Sequence, residues 1–119
     1  MDNPHFSTGA GGNIVKARTT CHGVAEVRIA VSLYRCPRKP EGDKEEWPGQ
    51  RCAIVKAGGR KVKPPVDGTT YTTYAPPTGS AGAHGVGWYI RVAIVTKYNS
   101  GGRNTGLKTT IGNPVHLAS

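Results

Sequence analysis

Apolar and polar residues alternate with a period of two along residues 25–36, with Val27, Ile29, Val31 and Leu33 on one face and Glu26, Arg28, Ser32 and Tyr34 on the other. Successive side chains of a strand point to opposite sides of a sheet, so this run predicts a strand with one buried face. Residues 14–21 alternate in the same way, Val15, Ala17, Thr19 and Cys21 against Lys16, Arg18 and Thr20, and His22-Gly23 breaks the pattern between the two runs. Together they predict an antiparallel hairpin. The other strong run is 88–98, with Trp88, Ile90, Val92, Ile94 and Tyr98 on one face and Tyr89, Arg91, Ala93, Val95 and Lys97 on the other.

Weaker signals fill the spaces. Residues 52–56 form a short apolar run, Gly58-Gly59 reads as a tight turn, and 60–63 as its return, stopped by Pro64-Pro65. The run TTYTTY at 69–74 has high β propensity. Residues 99–106 (NSGGRNTG) turn the chain into a strand at 107–111, and 115–117 supplies a last edge strand. No window carries helical spacing over three turns. About seven short strands with frequent turn signals predict an all-β fold, an antiparallel two-sheet sandwich of immunoglobulin-like size.

The expected organisation is an extended N-terminal arm at 1–13 and one sandwich domain at 14–119. The domain carries a charged loop at 37–51 and a Gly/Pro-rich loop at 75–87. The arm, MDNPHFSTGAGG at its core, lacks alternation and would reach about 40 Å if extended. The 75–87 loop has almost no side chain able to anchor a core, which predicts a mobile or partner-ordered segment. With 119 residues there is no room for a second core. Apolar stretches are cut by charges well short of a membrane span, and the first residues lack the basic-then-apolar order of an export signal.

Charge changes the picture. Sixteen Lys and Arg against seven Asp and Glu give +9, and no acid follows Asp67. Arg51, Lys56, Arg60, Lys61 and Lys63 lie unopposed within 13 residues, a field that attracts anionic surfaces: nucleic acid, phosphate-bearing polymers, lipid headgroups or acidic proteins. In the charged loop, Trp47 either pins the loop or projects as an anchor. Because interfaces favour Trp, Tyr and Arg, Trp47, Tyr34 and Arg38 join the basic residues as candidate partner contacts.

Candidate chemistry is sparse. Three cysteines, Cys21, Cys36 and Cys52, allow one intramolecular disulfide with three pairings. The segment between Cys36 and Cys52 is a surface excursion, which makes that pair the choice here and implies an oxidising environment. No CxxC or HxxxH spacing points to zinc, and no cofactor motif is present. His22 beside Cys21 would point to the opposite face of a strand, and Glu41, Asp43, Glu45 and Glu46 are interleaved with Lys39 and Lys44 as in a solvated loop. These features predict a chain that is not an enzyme. Tyr71, Tyr74 and Tyr89 offer stacking faces for nucleic acid, the weakest of three binding readings.

The phrases NPHFSTGAGGNIVKARTTC and VAEVRIAVSLYRC, followed by a Trp-containing loop closed by Cys52, resemble a loosely defined group of small β-domains encoded by actinobacteria and their phages. The resemblance covers residues 3–55. It implies either a secreted bacterial protein or a phage minor tail or other virion component, with no catalytic residues to carry over. Met1 directly before the NPH motif, with no export signal, tilts the expectation towards the phage branch. The expected role is a non-enzymatic structural protein of an actinobacteriophage virion, in a tail or capsid-decorating position. It would contact other virion proteins, be present in several copies, and lack membrane insertion and cofactors. The basic face would meet acidic neighbours or the host envelope. A secreted β-domain joining partners in an extracellular complex is the alternative, and a nucleic-acid-binding module the second.

Overall fold

A computed structural model describes residues 3–43, 46–47 and 51–118. Eight strands follow one another: β1 (His5–Ser7), β2 (Gly12–Thr20), β3 (Glu26–Cys36), β4 (Ala53–Val62), β5 (Thr70–Ala75), β6 (Gly87–Tyr98), β7 (Asn104–Ile111) and β8 (Val115–Leu117). They form two antiparallel sheets, one of three strands in the order β1-β2-β5 and one of five built on β4-β3-β6-β7, with β8 continuing beside β6. The predicted all-β two-sheet sandwich is the observed fold.

The inner faces meet as the alternation requires. From β2 come Val15 and Ala17, from β3 Val31 and Leu33, from β5 Ala75, and from β6 Tyr89 and Ala93, all in one cluster with Ala83. Cys21, Val27 and Ile29 continue it towards the other end. A second cluster lies on the opposite, outer face of the five-stranded sheet, where Cys36, Ile90 and Val92 are buried under Trp47, Tyr34, Trp88, Cys52 and Ile111.

Four local expectations are corrected. First, β2 and β3 do not form a hairpin; β2 pairs with β5 while β3 lies between β4 and β6. Alternation requires cover for one face, and two strands obtain it equally by facing each other across a core as by lying side by side. Second, Gly58-Gly59 is not a turn, because β4 runs unbroken through both. A Cβ on Gly58 would overlap the Tyr74 carbonyl oxygen, so the glycine serves the contact between β4 and β5 that closes one side of the sandwich.

Third, residues 1–13 are not a free arm where they are described. His5–Ser7 pairs with Gly12–Ile14 around a turn in which the Gly11 amide donates to the Thr8 carbonyl at 3.3 Å and the Ala10 amide to Ser7 Oγ at 3.2 Å. Residues 1 and 2 lie outside the described part. Fourth, the 75–87 loop is held by backbone. Asn13 and Ala83 exchange hydrogen bonds of 2.7 and 2.8 Å, and the Gly82 amide donates to the Ala10 carbonyl at 2.9 Å. Gly12 and Gly82 pass so closely that a Cβ on either would overlap the other's backbone. Arg35 Nη1 donates to the His84 carbonyl at 3.0 Å, and the Tyr89 hydroxyl to the Gly85 carbonyl at 2.6 Å. The loop's own residues show no anchors because it is held through its backbone, whose amides and carbonyls pair with other segments and which Gly12 and Gly82 let approach closely.

Candidate interaction surface

Two basic groups and one uncharged face stand out on the described surface. The first group sits on the excursion between β3 and β4. A Cys36–Cys52 disulfide ties its base, with the two Cα atoms 4.2 Å apart. Trp47 Nε1 donates to the Gly42 carbonyl at 3.1 Å, and the indole packs with Tyr34 on the outer-face cluster, so these two predicted contact residues are half-buried pins. Arg38 and Arg51 stay exposed and border one cavity of about 420 Å³ with Lys39 and Glu41. Arg51 has φ of 57°, a left-handed conformation uncommon outside glycine. The Lys39 ammonium lies 5.5 Å from the centre of the Trp88 ring, and that ring meets His116 edge-on at 5.2 Å. Lys44, Glu45 and residues 48–50 of the charged loop lie outside the described residues.

The second group is the basic stretch along β4, which the strand divides between its two faces. Lys56 and Arg60 fall on the side of the three-stranded sheet, pairing in register with Leu33 and Ile29. Arg60 reaches β5, with Nη1 3.4 Å from the Thr72 carbonyl and its guanidinium 5.0 Å above the Tyr71 ring. Lys61 and Lys63 instead approach Glu26, at 4.0 and 3.9 Å. Glu26 accepts a 2.7 Å hydrogen bond from Arg28 Nε, and the Arg28 guanidinium lies 4.8 Å from the Tyr98 ring centre. That bond, with the field of Arg28, Lys61 and Lys63, outweighs desolvation and holds the Glu26 carboxyl below the usual carboxylate range. The same bond raises the pKa of Arg28. Three cations around one carboxylate leave a positive surplus beside a cavity of about 460 Å³ under the 99–102 turn.

The three tyrosines expected as stacking faces do not line up. Tyr89 is fully buried, Tyr71 is half-buried beneath Arg60 with its hydroxyl accepting from the Val66 amide at 2.9 Å, and Tyr74 stands on the outer side of β5 against Pro76 and Pro77.

The third feature escaped the sequence reading. On the outer face of the five-stranded sheet, beyond the disulfide-tied loop, the register brings together Ala30 and Ser32, Ala57 and Gly59, Ile94 and Thr96, and Leu107 and Thr109. None is charged, Ile94 is 38% exposed and Leu107 63%. The signal was present in residues 88–98, which are apolar on both faces. A strand of that kind needs cover on two sides, and the described residues of the loop cover the half around Ile90 and Val92.

No protein-family model, no curated protein and no solved structure matches the chain. Among the described residues no group of three His, Cys, Asp or Glu side chains is arranged to hold a metal ion. Cys21 is a buried free thiol, whereas His22 is exposed.

Proposed function

We propose that this chain is a non-enzymatic structural module of an actinobacteriophage virion, in a tail or capsid-decorating position, working through protein–protein contacts. The observation that carries the assembly role is the bare half of the outer face. A +9 chain that leaves an uncharged patch with Ile94 and Leu107 in water has a surface suited to a protein neighbour. The phage setting rests on the resemblance of residues 3–55 to small β-domains of actinobacteria and their phages. The exposed cations Arg38, Arg51, Lys61 and Lys63 suit acidic neighbouring subunits or an anionic host envelope at the rim of such contacts.

The test is composition. Purified particles should contain the protein by mass spectrometry and bind a gold-labelled antibody at one fixed location. Particles that never contain it would remove the proposal. The Cys36–Cys52 bond favours a finished protein in an oxidising setting and so also suits a secreted module joining partners outside the cell. Antibody detection in the culture medium of uninfected cells would favour that second reading.

A further inference from the structure

We propose that β7 is a self-pairing edge, and that two copies of this chain join through it, antiparallel about a two-fold axis, into one continuous ten-stranded sheet. The inference rests on the reading of the chain as a multi-copy structural module and names the surface and the register.

The Gly112 amide donates to the Arg91 carbonyl at 2.9 Å, which fixes the parity of the β6–β7 ladder. Gly106, Lys108 and Thr110 therefore turn their backbone groups towards β6, and Leu107 and Thr109 turn theirs away. Among the described residues no strand pairs with that outer edge. Soluble proteins usually blunt such edges with charge, proline, bulges or a very short strand. β7 is eight residues long, contains no proline, has one charge, Lys108, and is bulged at Thr105, which leaves residues 106–111 regular. The Lys108 side chain lies on the inner side, because its partner Val95 is on the core-facing side of β6. The outward-bonding residues Leu107 and Thr109 carry uncharged side chains on the bare outer face.

The occupant follows from charge. A +9 chain meets itself favourably only where no cations face each other, and β4, at the sheet's other edge, carries Lys56, Arg60 and Lys61. Thr105 is an extra residue of β7, a bulge between Gly106 and Asn104, so the regular edge runs over residues 106–111. One register pairs that regular edge with itself, opposes no cations and stacks apolar side chains. With Thr109 opposite Thr109 of the second copy, Lys108 faces Thr110, Leu107 faces Ile111, and Gly106 faces Gly112. Shifting the centre by one residue, to Lys108, would set Lys108 against Lys108. In the Thr109-centred register the two Ile94 side chains flank the threonine pair, so the uncharged face runs across both molecules.

Sedimentation equilibrium or light scattering of the full chain should show a monomer–dimer equilibrium. Thr109→Pro removes an amide that β6 does not use, so it should keep the circular dichroism spectrum and raise the dimer dissociation constant about tenfold or more. Leu107→Lys, a surface change, should do the same. Under mild oxidation Thr109→Cys should cross-link to its own mate, because directly opposed hydrogen-bonded residues sit about 5.5 Å apart, within disulfide reach. Leu107→Cys should not cross-link. A chain that stays monomeric at all concentrations, or a dimer that survives both Thr109→Pro and Leu107→Lys, overturns the inference. Equal cross-linking of the two cysteine variants overturns the register. Particles that contain the protein while the isolated chain is monomeric would sink this inference and leave the assembly reading standing; a dimer absent from particles would do the reverse.

Discussion

Ile90 and Ile94 stand four residues apart on the same outer face of β6, yet Ile90 is fully buried and Ile94 is 38% exposed. The strand and the face are the same; only the neighbours differ. Over Ile90 the chain supplies its own cover, the Trp47-bearing loop anchored by Cys36–Cys52. Over Ile94 none of the described residues does so. The described residues thus cover the inner face of this sheet and half of its outer one, and leave apolar area around Ile94 and Leu107 in water.

Substitutions should separate the two halves. Ile90→Ala, by removing fully packed atoms from the covered half, should lower unfolding free energy by about 4 kcal/mol in a urea titration. Replacing both Cys36 and Cys52 with Ser frees a loop whose ends are 16 positions apart and should cost about 3 kcal/mol, with Trp47 fluorescence shifting as its cover loosens. Ile94→Ala should cost about 1 kcal/mol or less in the monomer, since much of that side chain is already wet. A loss at Ile94 equal to that at Ile90 would erase the contrast.

The smallest effect concerns pH. Glu26 has a folded pKa below its unfolded value of about 4.3. Its contribution is therefore complete above that value and is lost as pH falls through the lower, folded pKa. Glu26→Gln should flatten the decline of the thermal midpoint between about pH 5 and pH 3. An identical decline in both proteins would show that the Arg28, Lys61 and Lys63 cluster adds nothing to folding.

Strand positions were largely legible because they depend on alternation, which local residue order carries. The run at 25–36 became β3, 88–98 became most of β6, and 115–117 became β8. The disulfide was legible as a choice because a charged, Pro-rich excursion between Cys36 and Cys52 has to begin and end near one place. The bare face was half legible in the two apolar sides of 88–98. The split of the basic stretch was not, since it needs β4 to run through Gly58-Gly59 and send Arg60 and Lys61 to opposite sides.

The sequence by itself determined the kind of structure: where most strands lie, the apolar faces of β2 and β3, and that the charge is positive. Tertiary structure alone decided the pairing: β2 with β5, Gly58 against Tyr74, Asn13 with Ala83, and the choice of which end of the outer face is covered. Alternation is a property of one chain segment and states only that a face needs cover. What provides it depends on which segments meet in space, and local residue order does not carry that.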